Sequence, residues 1–239
     1  AKKYMNPASA YIVVVGDPKV LPTLEKFGKI YEFNTDYEPE TGENAKFDKV
    51  DMTPVQILDK YAAAIGGKDK INAIKTLTMD SKIVFEIQGE SMPGTMVVKN
   101  AQPNKQFRML DIGVLQQSTW YDGSKGWMKA NATLQEATGE ELNKLIDQAG
   151  IVPEAKLVES GHNCEVLGKQ KGFIVLKATK SGLSTVYYFD ENTYLLTKKE
   201  STDVTAEGVI PITETFSAWK EFAGVKFPTV GTTETPLYS

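Results

Sequence analysis

The sequence predicts an α+β protein built on a long, curved antiparallel sheet of about ten strands. Three observations support this: a capped amphipathic helix begins near Met52, a second begins near Thr138, and alternation with a period of two follows each helix. A sheet with so many strands must curl or split, so curvature is expected. Hydrophobic residues make up 41% of the 239 residues and charged residues 24%, which is typical of a soluble globular protein.

The first of these helices carries clear start and stop signals. Thr53 is the predicted N-cap, Pro54 occupies the first helical position, and Gln56 completes a capping box. Gly66-Gly67 ends the helix, and a shorter helix is predicted over 68–74. The predicted apolar face consists of Val55, Leu58, Tyr61, Ala62 and Ile65.

Alternation begins at Thr76 and indicates strands. Ile83, Phe85 and Ile87 are predicted to share one face. Met96 and Val98 are predicted to continue that face, and Phe107 and Met109 to follow them. The stretch from Trp120 to Trp127 contains Asp122-Gly123 and predicts a hairpin with a tight turn.

The second capped helix is predicted to begin at Thr138, with Glu141 as capping-box partner. Leu142, Leu145, Ile146 and Ala149 form its apolar stripe. The strands predicted after Gly161 are 165–168, 173–178, 185–189, 194–201, 213–222 and 225–232.

The first 47 residues have a separate pattern, a strand-helix-strand fragment followed by a linker. Tyr11–Val15 is apolar on both faces, as in a covered strand; Leu21, Leu24 and Phe27 predict a short helix, and 30–33 a return strand. Residues 34–44 are acidic and contain Pro and Gly, which is typical of a linker. We therefore expect the end of one domain at 1–47, joined to a second domain at 48–239.

The residue types argue against several classes of function. His162 is the single histidine and Cys164 the single cysteine, so neither a His-x-x-Glu-His zinc site nor an internal disulfide can form. No Gly-x-Ser-x-Gly motif accompanies His162 for a serine hydrolase triad. The net charge is −4 and the basic residues are scattered, which disfavours nucleic-acid binding. We expect no catalytic residues, metal or cofactor.

The strands are rich in methionine and aromatic residues. Met adapts its shape to apolar ligands, and a curled sheet with only two or three helices leaves room for an apolar cavity. The alternative is ordinary core packing of the same side chains. The candidate cavity residues are Phe85, Ile87, Met96, Val98, Phe107, Met109, Trp120, Trp127, Met128, Tyr187 and Phe189.

The first forty residues resemble the C-terminal end of an insulinase-like (pitrilysin-type) zinc peptidase. The resemblance lies in Tyr4-Met5-Asn6-Pro7, in the strand ending Val13-Val14-Val15-Gly16-Asp17, and in Leu24-Glu25-Lys26-Phe27-Gly28. No part of that family's catalytic motif is present in this sequence. The resemblance implies a secreted zinc peptidase as the parent protein, of which this chain is a non-catalytic C-terminal part.

Residues 52–239 resemble the additional C-terminal domain of Bacteroidetes-type members of that family, and the lipoprotein-carrier (LolA/LolB-like) superfamily. The resemblance implies an open antiparallel half-barrel with two or three helices on its concave side, covering an apolar cavity, and a periplasmic or cell-envelope location. The matching segments are Ile57–Tyr61, Ile65–Lys68, Ala101–Lys105, Tyr121–Gly123, Gly126-Trp127, Tyr188–Asp190, Leu195-Leu196 and Gly224–Pro228.

Two functions stay open on the sequence. One is a binding module that holds a lipid, lipoprotein or apolar peptide; the other is an accessory domain of the peptidase, with a filled core and no ligand. The upstream peptidase domains are expected partners under either interpretation.

Overall fold

Two antiparallel sheets of six strands each form the framework. The computed structural model describes residues 14, 18–27, 47–87, 90–205 and 208–235. From residue 54 onward, helices, strands, a helix and strands follow one another, which confirms the predicted α+β order. The expectation of a single sheet with about ten strands is corrected to two sheets, because the segment between residues 137 and 163 contains a helix and interrupts the ladder of hairpins.

The helices described are short. They are α1 (Leu21–Leu24), α2 (Pro54–Ala64), α3 (Lys68–Ala73) and α4 (Gly139–Gln148). Short 3₁₀ helices flank α1, at Pro18–Val20 and Glu25–Phe27, and another follows α4 at Pro153–Lys156. The helix predicted around Leu21 is therefore present. The strands predicted beside it lie outside the described residues, apart from Val14, which is half exposed.

Each sheet is a meander in which neighbours in sequence are neighbours in space. Sheet 1 consists of β1 (Thr76–Ile87), β2 (Glu90–Ala101), β3 (Lys105–Asp111), β4 (Gln116–Tyr121), β5 (Gly126–Ala130) and β6 (Thr133–Ala137). Sheet 2 consists of β7 (Asn163–Gln170), β8 (Phe173–Lys180), β9 (Leu183–Asp190), β10 (Leu196–Thr205), β11 (Gly208–Phe222) and β12 (Val225–Glu234).

The N-terminus of α2 forms the predicted capping box. The backbone N–H of Gln56 donates to the Thr53 hydroxyl at 3.3 Å, and the backbone N–H of Thr53 donates to the side-chain Oε1 of Gln56 at 2.8 Å. The buried face differs in one residue from the prediction, because Ile57 is fully buried and Val55 is 47% exposed. At 100° per residue, Val55 lies about a quarter turn from the centre of the buried stripe.

The main core lies between α2, α3 and sheet 2. Ile174, Leu176 and Phe189 are fully buried there, and the Tyr61 ring centroid lies 5.3 Å from that of Phe189. The alternate residues of β8 and β9, Val175, Val186 and Tyr188, point to the opposite face of sheet 2 and form a second cluster there. Strands β8 and β9 are therefore buried on both faces, which explains their continuous apolar sequence.

The segment before α2 is attached to the outer face of sheet 2. Phe47 packs against the cluster of Val175, Val186 and Tyr188. Asp48 pairs with Lys169 of β7 through two backbone hydrogen bonds of 2.9 and 2.8 Å. Residues 47 and 48 are therefore held by packing and by backbone pairing, respectively.

Helix α4 carries the predicted apolar stripe, but its predicted capping box does not form. Leu145 and Ala149 are buried and Leu142 and Ile146 pack against them, as the stripe predicts. The Thr138 side chain makes no capping hydrogen bond. Gly139 follows it with a φ of +55°, so the first turn does not present its amides to the Thr138 hydroxyl.

Candidate ligand-binding site

One face of sheet 1 is packed against α4, and we call it the helix-side face. Tyr121 and Ala137 lie on it and pack against Leu145. An added Cβ at Gly126 would lie only 2.6 Å from Leu145 Cδ1, which shows how closely α4 approaches β5. Cross-strand partners share a face, so the registers of β1–β6 assign every other residue of sheet 1 to this face.

An apolar strip continues along the helix-side face beyond the reach of α4. The strip is half-buried, and its residues belong to none of the three buried clusters in the described part of the chain. The intervening positions of β1 are exposed: Asp80, Lys82 and Glu86 are charged, and Val84 is apolar. The apolar strip consists of Met79, Ile83, Phe85, Met92, Met96 and Leu110.

Sheet 1 divides the predicted cavity residues between its two faces. Phe85, Met96, Val98 and Met128 lie on the helix-side face, and Ile87 occupies a position of the same register. Four others lie on the opposite face: Phe107, Met109, Trp120 and Trp127.

The β2–β3 turn explains this division. It places Val98 opposite Arg108 and Met96 opposite Leu110, so Phe107 and Met109 alternate away from them. The expectation that Phe107 and Met109 continue the face of Met96 and Val98 is therefore corrected. No side chain from the outer face can line a space on the helix side.

The two predicted residues of sheet 2 lie in its core. Tyr187 and Phe189 pack beneath α2 and stack on each other with their centroids 6.5 Å apart. Phe189 is fully buried and Tyr187 is 7% exposed. Their side chains therefore pack in the core beneath α2 and do not line a cavity. Ordinary core packing was the alternative that the sequence left open.

Helix α4 contacts both sheets. Its apolar stripe packs on sheet 1. From its other side, the Lys144 ammonium pairs with the Asp203 carboxylate on β10. Asp203 lies on the same face of sheet 2 as Tyr187, because β10 pairs Lys199 with Tyr187 and alternates from there.

A charged cluster lies on the face of sheet 2 that carries Tyr187. The Lys199 ammonium lies 3.0 Å from Glu214 and 3.5 Å from Glu154, and its side chain is 18% exposed. Burial lowers the pKa of Lys199, but the two carboxylates outweigh it and raise the pKa overall. The cluster carries one more negative than positive charge, so it does not attract a further carboxylate or phosphate.

His162 belongs to a second polar cluster, at the C-terminal part of α4. Its Nε2 lies 3.7 Å from Asp147, which also pairs with Lys180 at 2.6 Å. Its Nδ1 lies 3.2 Å from the Leu157 carbonyl oxygen. Burial lowers the pKa of His162, and the charge of Asp147 opposes this only in part. His162 has the contacts of a structural loop residue.

We expect the imidazole of His162 to titrate below 6.5 and its protonation to destabilise the fold. Because the folded state prefers the neutral ring, the unfolded chain binds the proton first and the free energy of unfolding falls as pH drops below 6.5. NMR of this single histidine measures its pKa directly. A pKa above 6.5, or a His162→Gln variant with an unchanged stability slope between about pH 7 and pH 5, would contradict the prediction.

A cavity lies beside the C-terminal part of α4, away from the apolar strip. Its volume is about 260 Å³, and its lining includes Asn104, Asp147, Ile151, Lys156 and Lys180. None of the predicted cavity residues lines it. In the described residues no group of three or more His, Cys, Asp or Glu side chains is arranged to bind a metal ion.

No described helix has both the length and the apolar character needed to cross a membrane.

Comparisons with known proteins identify the fold. No protein-family model matches the chain, and no curated protein sequence matches it. Solved structures match. A DUF1329 family protein from Desulfovibrio piger has a TM-score of 0.51 at 13% identity, covering 77% of this chain and 88% of its own. A LolA superfamily protein from Nitrosomonas europaea has a TM-score of 0.52 at 14% identity, covering 77% and 86%.

A third match is a proposed outer membrane lipoprotein-sorting protein domain from Vibrio parahaemolyticus, with a TM-score of 0.50 at 14% identity and coverage of 74% and 84%. At these identities the similarity concerns the fold alone. The resemblance of the first forty residues to insulinase-like peptidases stays a prediction from sequence. From its helices, its two meanders and these matches, the chain has a LolA-like fold.

Proposed function

We propose that this chain is a non-catalytic binding domain that holds the acyl chain of a lipid or lipoprotein along the apolar strip. The observation that carries the proposal is the strip itself: six half-buried apolar residues on the helix-side face of β1, β2 and β3, whereas the outward positions of β1 are exposed and mostly polar. Three of the six are methionines, whose flexible thioethers adapt to an acyl chain. Each methylene buried contributes about 0.8 kcal/mol.

The LolA-like fold supports this proposal. Similar structures include a LolA superfamily protein and a proposed lipoprotein-sorting domain. A periplasmic or cell-envelope location is part of the proposal, as is a secreted zinc peptidase as parent protein. The proposal of a zinc peptidase as parent protein rests on the sequence resemblance of the first forty residues alone.

The accessory-domain interpretation has its own support. Phe47 and Asp48 are docked on sheet 2, an arrangement suited to holding a neighbouring domain in a fixed place. An accessory domain needs no ligand, whereas a domain that holds an acyl chain must bind it saturably. A ligand titration therefore distinguishes the two.

We expect Met96→Glu to weaken binding of a fluorescent long-chain fatty acid at least tenfold, because the carboxylate would be desolvated beside the acyl chain. Thr95→Glu is the matched control: it adds the same charge one residue away, on the exposed outer face. A fluorescence titration measures both dissociation constants, and urea unfolding verifies that both variants fold. Unchanged binding by Met96→Glu, an equal loss in Thr95→Glu, or no saturable binding by the wild type would reject the proposal.

A further inference from the structure

We infer that the outer face of sheet 1 docks on an anionic membrane surface. The docking surface is an aromatic row with three exposed lysines around it. The row consists of Phe107, Trp120 and Trp127, and the lysines are Lys99, Lys105 and Lys129. This surface lies on the face opposite the apolar strip, so the inference does not depend on the proposed ligand site.

The aromatic row runs straight across three neighbouring strands. Phe107 of β3 pairs with Trp120 of β4, which pairs with Trp127 of β5. The two indole rings stack with centroids 5.9 Å apart and planes inclined by 23°. All three side chains are half-buried, and they belong to none of the three buried clusters of the described chain.

The aromatic row lies on the face of sheet 1 that points away from α4, because successive side chains in a strand point to opposite faces. Tyr121 and Gly126, the residues next to Trp120 and Trp127, are the ones that approach Leu145 of α4. Met109 lies beside Phe107 on the outer face and extends the apolar surface by one position. An apolar surface of this kind on an outer sheet face gains from a partner that covers it.

Lysines surround this row. Lys99 is the direct cross-strand partner of Phe107, Lys129 lies two residues from Trp127 on the same face, and Lys105 lies two residues before Phe107. All three are exposed, and none forms a salt bridge within the part of the chain that the structure describes. Glu136, the neighbour of Trp127, is neutralised by Lys125 at 3.1 Å. Lys105 interacts electrostatically with the Asp122 carboxylate, so Lys99 and Lys129 make the surface locally cationic in a chain of net charge −4.

This combination fits a lipid headgroup layer. Tryptophan is enriched where apolar and aqueous phases meet, and lysine reaches anionic headgroups with its long side chain. Single-stranded nucleic acids and sugars require open ring faces for stacking. Here the two indoles stack on each other, which leaves fewer ring faces free. The chemistry thus favours a bilayer surface with anionic lipid.

The test is vesicle flotation with the full chain. Phosphatidylglycerol–phosphatidylcholine vesicles are expected to bind the protein at low salt, and pure phosphatidylcholine vesicles much less. Each lysine near an anionic surface is worth about fivefold in binding, so Lys99→Gln with Lys129→Gln should lower binding more than tenfold. The matched control, Lys171→Gln with Lys220→Gln, removes the same charge from exposed positions in the β7–β8 turn and in β11, and should change binding less than twofold.

A fluorescence measurement locates the contact. The chain has three tryptophans, and Trp219 of β11 packs against the core of sheet 2, so a Trp219→Phe background reports on the aromatic row alone. Brominated phosphatidylglycerol vesicles should quench that emission and shift it to the blue. Failure to bind anionic vesicles, equal losses in both double variants, absence of quenching, or binding to insoluble polysaccharide instead of vesicles would each overturn the inference.

Discussion

Phe189→Ala is expected to lower the free energy of unfolding by about 3–5 kcal/mol. Phe189 is fully buried between sheet 2 and the helices, where its ring contacts both Tyr61 and Tyr187. Removing it leaves a cavity in the largest of the three buried clusters among the described residues, and the surrounding strands and helix cannot collapse to fill it. Urea denaturation followed by circular dichroism measures the loss as a shift of the midpoint.

The control for this change is Phe222→Ala. It deletes the same side chain at the end of β11, where Phe222 is 54% exposed, and should cost less than about 1 kcal/mol. A similar loss at both positions would mean that the packing beneath α2 is less tight than the structure indicates.

Gly66→Ala should destabilise the protein by about 2–6 kcal/mol. Gly66 follows α2 with a φ of +134°, and a Cβ there would lie 2.2 Å from the Gly224 carbonyl oxygen. Backbone strain and a forced shift of packed backbone each cost about 1–3 kcal/mol. The contact that would be pushed apart includes the hydrogen bond from the Lys226 amide to the Ile65 carbonyl, at 2.7 Å.

Gly67→Ala separates strain from collision. Gly67 also has a positive φ, +96°, but a Cβ there meets nothing within 4 Å. With a ψ of 150° it lies in a region that essentially only glycine adopts, so its substitution should cost only the backbone strain of about 1–3 kcal/mol. Calorimetry of both variants measures the difference. Equal losses would show that the close approach of α2 and β12 contributes nothing to stability.

Both changes concern a core that is separate from the proposed ligand site. Helices α2 and α3 contribute Ile57, Tyr61 and Ile71 to a core that lies mainly on sheet 2 and that Leu77 of β1 also contacts, whereas α4 joins the two sheets. The expectation that two or three helices lie together on the concave side of one sheet is thereby refined. The ligand site that we propose lies along β1–β3, beyond α4.

Local features were predictable because neighbouring residues alone decide them. The Thr53–Gln56 capping box, the stripe of α4 and the hairpin between Trp120 and Trp127 all follow from short-range spacing, and all are present. The Asp122 carboxylate accepts hydrogen bonds from Ser124 and Lys125 within that turn, a geometry that Asp-Gly favours.

The candidate site was predictable only in part, because alternation gives the relative face of residues within one strand. Between strands, the face depends on register. Met96 and Phe107 both alternate correctly, yet the β2–β3 pairing places them on opposite faces. The candidate cavity residues on the helix-side face could be recognised only from the registers of neighbouring strands, which pair Val98 with Arg108 and Gln106 with Tyr121.

By itself, the sequence determined the order of elements, the helix starts, the positions of most strands and the incompatibility of one histidine with a His-x-x-Glu-His zinc site. Only the tertiary structure decided the division into two sheets, the placement of Tyr187 and Phe189 in a core, and the separation of the apolar strip from the aromatic row. The physical reason is that capping and alternation are interactions over a few residues. Register and sheet closure arise from hydrogen bonds and packing between segments far apart in the chain.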